Sequence, residues 1–279
     1  MMKPKFAVQV TSVHDDEIHR IVNALKAIDA DYATFGLIPF SDEITNIEAF
    51  ENAKVVIPLG STKLVSMYQR YKLPDHWRVF YSQMMLDQLY ARAFLGGELL
   101  NALAWIEPFS AVRTMQFEKP MFVKPTNDLK LFGGLVLEPG QTLDDALRKT
   151  MHQEIHDHEA IMVAHPQQLG REFRLAIVDD HIVGISQYRD RGHLSARELS
   201  LEEVDMLLGE SIYTYFEKLR DFDLPAPRAY AMDICEVLTD DGPQWRVVEC
   251  NCFNACGLYA MDRTHVYKAI IRHVERVYG

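Results

Sequence analysis

The chain has 279 residues, with 29 Lys and Arg against 40 Asp and Glu, a formal net charge of −11. Hydrophobic residues make up 48% and charged residues 25%, which excludes disordered, collagen-like and coiled-coil classes and fits one large domain or two intimate ones. Nucleic-acid affinity comes largely from clustered Lys and Arg, so an acidic chain that handles polyphosphate must use a few focused cations and a metal.

Taken in order, Lys5 to Val10 predicts a buried strand. His14 to Ile28 predicts an amphipathic helix with Ile18, Ile21, Val22, Leu25 and Ile28 on one stripe. Tyr32 to Ile38 is a second strand. Lys54 to Leu59 is a third, ending in Gly60-Ser61-Thr62, after which Leu64, Val65 and Tyr68 begin a helix. Strands alternating with helices predict a parallel α/β layer for roughly the first hundred residues. Gln83 to Leu103 is helical, broken near Gly96-Gly97.

Around Pro108 the texture changes to mixed α+β. Pro120 to Pro125 is a strand, followed by a loop with Gly133-Gly134 and the strand Leu135 to Leu137. Thr142 caps a helix through Met151, and Ala160 to Ala164 is again a strand. Glu172 to Ile177 and His181 to Gln187 form a hairpin around Asp179-Asp180. Ser200 caps a helix over Leu201 to Leu219, with Glu203 completing a capping box. Ala229 to Leu238 and Trp245 to Asn251 pair around Asp240 to Pro243, and a helix over Asp262 to Tyr278 ends the chain.

Three pieces carry chemistry. Lys124 ends a strand and Lys130 follows in a loop with Phe132, Gly133 and Gly134. A lysine at a strand end offers a point charge to a phosphate, and a glycine loop lets backbone N–H groups approach the same anion; a surface lysine beside an ordinary turn is the plainer alternative. Glu172 and Arg174 share one strand face, and Arg189 can join them from the partner strand. Two guanidinium groups suit a carboxylate or phosphate, although a solvated face with cross-strand ion pairs would look the same. Asp233 lies on one strand, and Glu249 and Asn251 share a face on the next, with Cys250 and Cys252 opposite. Such hard oxygen ligands suit Mg²⁺, which also relieves the repulsion of clustered carboxylates.

In order and spacing these pieces resemble the ATP-grasp superfamily. The K-x-F-x-G loop, the S-Q-Y-R strand end (Ser186 to Arg189) and V-E-C-N-C-F-N-A-C-G-L-Y (Val248 to Tyr259) resemble its phage- and bacteria-associated clade of amide-forming ligases. The resemblance covers roughly residues 80 to 279. It implies an N-terminal parallel α/β (pre-ATP-grasp) domain over 1–107, then an ATP-grasp fold of two α+β subdomains, the small one over 108–164 and the large one, with the metal site, over 165–279. It further implies that Lys124, Lys130, Phe132, Gly133, Met162, Val163, Ala164 and Glu172 hold ATP, with Met162 to Ala164 as the adenine shelf. Arg174 and Arg189 would hold the acylphosphate or substrate carboxylate. Asp233, Glu249 and Asn251 would bind Mg²⁺, two ions in the family pattern. Two departures stand out. Better-known members often carry Lys where Arg189 falls, and an Arg just before the first metal Asp, where this chain has Ala231-Met232.

The implied activity is an ATP- and Mg²⁺-dependent carboxylate–amine ligase working through an acylphosphate. The alternatives are a kinase-like phosphotransferase, an ester-forming ligase or a non-catalytic nucleotide-binding module. Its partners would be small-molecule or peptide carboxylates and amines, with no nucleic-acid backbone and no membrane; a homo-oligomer is compatible with the sequence. Gly60-Ser61-Thr62 can be an anion-binding helix start or a simple cap, and Asn254 to Tyr259 can shape the acceptor site or form a structural turn. The opening segment does not read as a signal peptide, no run approaches the ~18 apolar residues of a membrane span, and four cysteines fit a reduced, cytoplasmic protein. Zinc at Cys250, Cys252 and Cys256 and a metal site at His152, His156 and His158 are both disfavoured. Neither a P-loop nor a G-x-G-x-x-G fingerprint is present.

Overall fold

The computed structural model describes residues 3–11, 13–39, 41–127, 131–148, 155–200, 202, 203, 206 and 227–279. Near the N-terminus, strands β1 (Lys5–Gln9), β2 (Tyr32–Leu37), β3 (Ile44–Thr45) and β4 (Val56–Leu59) form a sheet of order β3-β2-β1-β4. β1 pairs parallel with β2 and β4, and only the short edge strand β3 is antiparallel. Helix α1 (Asp15–Ala27) carries Asp15, Asp16 and Glu17 in its first turn and Lys26 in its last, matching its dipole at both ends. Helices α2 (Thr62–Gln69), α3 (Gln83–Leu86) and α4 (Gln88–Leu95) follow.

A small antiparallel sheet comes next. It contains β5 (Trp105–Pro108), β6 (Met121–Pro125), β7 (Leu135–Leu137) and β8 (Ala160–Ala164) in the order β5-β8-β6-β7. Helices α5 (Phe109–Val112) and α6 (Leu143–Leu147) cover one of its faces, where Val112, Val123, Leu137, Leu143 and Ile161 make a local core. The expected boundary at 107/108 runs through β5, a strand that the sequence pattern does not mark; its residues pair with β8 and belong to the small sheet.

The large sheet is wholly antiparallel: β9 (Leu169–Val178), β10 (His181–Asp190), β11 (His193–Glu198), β12 (Ala229–Thr239) and β13 (Gly242–Cys252), in the order β11-β10-β9-β12-β13. One face, with Phe173, Leu175, Tyr230, Met232 and Val247, packs against Met85, Leu86, Phe94 and Leu95 of α3 and α4. The other face is covered at one end by the terminal helix α7 (Arg263–Tyr278), whose Val266, Ile270 and Val274 share a core with Ala176, Val178, Ala229 and residues of β1 and α1. One apolar core thus joins the N-terminal layer to the last helix of the chain.

β11 is likewise unmarked in the sequence, because it is exposed along its whole length and carries no burial alternation. The Ser200–Glu203 capping box is present, each backbone N–H donating to the other's side chain at 2.9 and 3.2 Å; most of the helix expected after it lies outside the described residues. The helix capped by Thr142 is described to Leu147, and its expected end at Met151 lies outside them too. Among the described residues no helix is long and apolar enough to cross a membrane.

Gly184 on β10 lets α7 sit this close: a Cβ there would lie 3.0 Å from Val266 Cγ2 and 3.2 Å from Met261 Sδ. Gly184→Val is expected to lower unfolding stability by about 1–3 kcal/mol through overpacking, read from urea denaturation.

Candidate active site

Strand periodicity decides where charge emerges. Glu172, Arg174, Ala176 and Val178 lie on one face of β9, because side chains alternate with period two. Ala176 and Val178 pack beneath α7, while the two charged residues lie beyond it. β12 repeats the arrangement in register, Ala229 opposite Val178, Ala231 opposite Ala176 and Asp233 opposite Arg174. Small residues admit the helix, and charges appear where its cover ends.

Two bulges then bend the alternation toward the same place. On β13, Asp233 pairs with Glu249 but Ile234 with Val247, leaving Val248 extra. On β10, Gln187 pairs with Phe173 but Arg189 with Glu172, leaving Tyr188 extra. Each bulge turns two consecutive side chains, Val248 with Glu249 and Tyr188 with Arg189, into one cavity. That cavity, about 340 Å³, lies between the large sheet and Phe122, Lys124 and Gly134 of the small one.

The centre of the site is a buried ion pair. Arg174 Nε donates to Asp233 Oδ1 at 2.7 Å and a terminal nitrogen donates to Oδ2 at 2.6 Å, with the residues 5% and 3% exposed. The other terminal nitrogen donates to the Gly257 carbonyl at 3.0 Å. Burial acts against the guanidinium charge, and the Asp233 carboxylate offsets it, so the charged form is held well beyond the usual arginine range. Across the cavity, Lys124 Nζ donates to Glu249 Oε2 at 2.5 Å. Burial raises the Glu172 carboxyl above its ordinary value, opposed by a 3.0 Å hydrogen bond from the Tyr188 hydroxyl and by the Arg189 charge, with Asp233 and Glu249 adding to the rise.

An aromatic wall closes one side. Tyr188 and Tyr259 stack with centroids 4.8 Å apart and planes 8° from parallel, and the Arg174 guanidinium lies 5.0 Å from the Tyr259 ring. Tyr259 has a φ of +47°, left-handed backbone that costs a non-glycine residue on the order of 1 kcal/mol. Buried Arg263 holds it there, donating to the Tyr259 carbonyl at 2.9 Å and to both Glu17 oxygens at 2.9 and 2.8 Å. The sequence marks neither Arg263 nor Glu17, since their pairing spans 246 residues.

The expected residues divide as follows. Lys124, Glu172, Arg174, Arg189, Asp233 and Glu249 line the cavity, and Asn251 joins them by donating to Asp233 Oδ2 at 3.3 Å. Lys130 lies outside the described residues. Phe132 does not reach the cavity, because its ring packs into the core of the small sheet. Gly133 does not line it either; Gly134 does, with the Phe122 ring 2.6 Å from where a Cβ would stand. Val163 points into the core of the small sheet, and Met162 and Val163 pair with β5 on one side and β6 on the other. Met162 and Ala164 pack with Ala104, Ile106 and Phe122, and none of Met162, Val163 and Ala164 borders the cavity; Gln167 and Leu169, just after β8, do.

Asn254 and Gly60 are a structural tie. Asn254 Oδ1 accepts from the Phe80 N–H at 2.7 Å, its Nδ2 donates to the Pro58 and Arg78 carbonyls, and its own carbonyl accepts from the Gly60 N–H at 2.8 Å. The Ser61 N–H and hydroxyl are both engaged by Gln9 Oε1. Cys250 and Cys252 are buried on the core face, and all four cysteines are reduced thiols.

Among the described residues no three His, Cys, Asp or Glu side chains converge as a metal site. The donor set is two carboxylates and one amide, and it fits a hard cation that takes further ligands from phosphate and water. Among the described residues Asn251 Oδ1 is buried without a hydrogen-bond partner, and Asp233 Oδ1, which accepts from Arg174 alone there, keeps a lone pair.

A family profile described as an ATP-grasp domain, family 2 of the R-2-K clade, matches residues 103–269. No curated protein sequence matches the chain. Among solved structures, the chain is similar to a D-alanine–D-alanine ligase from Bacillus anthracis complexed with ATP, at TM-score 0.57 and 14% identity over 99% of this chain and 98% of that one. An ATP-grasp RimK domain protein from Sphaerobacter thermophilus gives 0.55 and 14% over 96% and 99%. An L-amino acid ligase from Bacillus licheniformis gives 0.53 and 12% over 90% and 67%. At these identities the likeness is one of fold: an ATP-grasp fold preceded by an α/β layer.

Arg174→Met is expected to cost about 3–5 kcal/mol by stranding the buried Asp233 charge, and adding Asp233→Leu is expected to restore most of that loss in urea denaturation. A second expectation follows from Glu172. Its raised pKa means the folded chain holds a proton that the unfolded chain has released, so ionising it costs stability as pH rises through the folded value. Glu172→Gln should therefore stabilise the protein at neutral pH, with the advantage shrinking toward about pH 4, where both states are protonated. Denaturation midpoints at the two pH values test this.

Proposed function

The chain belongs to the ATP-grasp family, within family 2 of its R-2-K clade, and from that premise we propose that it is an ATP- and Mg²⁺-dependent carboxylate–amine ligase. The observation that carries the reading is the convergence of Lys124, Glu172, Arg174, Arg189, Asp233, Glu249 and Asn251 on one cleft between two antiparallel sheets. The proposed units are the N-terminal layer with α3 and α4, the small sheet with β5 included, and the large sheet with α7.

In this reading a substrate carboxylate oxygen attacks the γ-phosphorus of ATP, the bond to ADP breaks, and an acylphosphate results. The amine nitrogen then attacks the acyl carbon, inorganic phosphate leaves, and the amide remains. Lys124 neutralises phosphate oxygens from the small sheet. Lys130 and the loop reaching Gly134 are assigned to the same task. Glu172, with one oxygen on Tyr188, faces the nucleotide. Arg189 forms no ion pair with a carboxylate among the described residues and is the cation open to the substrate carboxylate or acylphosphate. Arg174 supports it as a fixed positive charge behind the Tyr259 ring. Asp233, Glu249 and Asn251 would hold Mg²⁺, two ions in the family pattern, which supplies charge neutralisation at the phosphates. Positioning and electrostatics supply the catalysis, with no covalent protein nucleophile. The substrates are assigned as small-molecule or peptide carboxylates and amines, and the reduced cysteines suit a cytoplasmic setting.

Calorimetric titration is expected to give ATP binding that strengthens with Mg²⁺, and Asn251→Leu to remove the Mg²⁺ dependence; absence of ATP binding overturns the reading. With ATP and an amino-acid panel, mass spectrometry should detect dehydrated adducts, and ADP release should require the amine. Amine-independent release with a phosphorylated product would indicate a kinase instead. Lys124→Met should lower turnover on the order of 100-fold.

A further inference from the structure

Helix α4 begins where the two sheets meet. Asp87 caps it, its side chain accepting from the Leu89 N–H at 2.9 Å, so Gln88 is the first helical residue. The N–H of a first helical residue has no partner within its own helix, and that of Gln88 donates to the Thr126 carbonyl at 2.9 Å. Thr126 follows β6 directly, just beyond Lys124 and Pro125. In the other direction, Gln88 Nε2 donates to the Val248 carbonyl at 2.7 Å. Gln88 is 5% exposed and lines the cavity. We infer that Gln88 is a positioning residue: it holds the β13 bulge that aims Glu249, and it refers that bulge to the strand end that carries Lys124. The inference rests on the reading of Glu249 as a ligand of a nucleotide-bound cation.

The bulge explains why a side chain is needed there. An extra residue drops out of the strand ladder, and its polar groups need partners from elsewhere. Val248 is that residue, between the Val247–Ile234 and Glu249–Asp233 pairs. The neighbouring Val247 carbonyl has a backbone donor, the Leu100 N–H at 2.8 Å, which every amino acid except proline supplies. The Val248 carbonyl takes its donor from a side chain, so the identity of residue 88 matters. This carbonyl belongs to the peptide unit that leads directly into Glu249. The hydrogen bond from Gln88 fixes the plane of that unit, and with it the direction in which the carboxylate leaves the strand. Groups that orient a metal ligand weigh strongly on metal affinity. Gln88 thus refers both partners of the Lys124–Glu249 contact to one residue, the first through its backbone and the second through its side chain.

ATP affinity is measured by calorimetry on the intact chain, once in excess EDTA and once in excess Mg²⁺; the ratio of the two is the cation's contribution. The proteins are wild type, Gln88→Met, Gln88→Asn, Glu249→Gln and each Gln88 variant combined with Glu249→Gln, all checked for native circular dichroism. Gln88→Met fills the same space without a donor. Gln88→Asn keeps the amide but withdraws it by one methylene, and it carries the test if the Met variant does not fold. Both are expected to lower the ratio on the order of ten-fold. Affinity in EDTA is expected to stay at the wild-type value, and the loss to vanish where Glu249→Gln is already present. An unchanged ratio overturns the inference, as does an equal loss in the Glu249→Gln background. A matching fall of affinity in EDTA also overturns it, because Gln88 would then touch the nucleotide itself. In each of these cases the ATP reading stands. If wild type gains nothing from Mg²⁺, the metal reading and the inference fall together.

Discussion

The bidentate contact between Arg174 and Asp233 is the constraint around which the rest is arranged. Two buried charges of opposite sign on adjacent strands fix the register of β9 against β12, because neither tolerates burial alone. That register sets Glu172, Arg189 and Glu249 around the same cavity. The spare nitrogen of Arg174 reaches the Gly257 carbonyl, so the pair also orders the loop after the proposed metal strand. A hydrophobic pair could hold two strands equally well. It would place no charge at the floor of the cleft.

The N-terminal layer is tied to this floor by buried polar contacts as well as by apolar packing. Asn254 links β4, the segment before α3 and the end of β13 through its side-chain amide. Arg263 links α1 to the Tyr259 carbonyl through Glu17. With Ala260 N–H donating to Ser186 Oγ at 3.3 Å, the segment 254–260 is held from β4, β9, β10 and α7. A wall held from several elements loses little freedom when a ligand arrives, which lowers the entropic cost of binding.

Most of the fold is legible in the sequence because its signals are local. Period-two alternation in Glu172–Val178 and Ala229–Ile234, the stripe of α1 and the caps at Thr142 and Ser200 all act over a few residues. The charged members of the site are legible for the same reason, as strand-end Lys, Glu-x-Arg and Glu-x-Asn. What stays hidden depends on distant partners. β5 and β11 are short or wholly exposed strands defined only by the neighbours they pair with. Phe132 and Val163 stand in motifs expected to hold the nucleotide but serve the small sheet's core, since an apolar residue in a short motif does not reveal which face it takes. Glu17 and Arg263 meet only after the chain has folded end to end.

The bulged residues Val248 and Tyr188 have a further meaning for how the site tolerates change. Because facing is set by parity, composition at these two positions matters less than count. Many side chains at position 248 would leave Glu249 aimed at the cleft. Loss of that one residue would turn the parity of everything on one side of it, sending the carboxylate toward the apolar core or a cysteine into the cavity. The site thus behaves like a message read in a frame: it is forgiving of altered letters here and intolerant of a missing one.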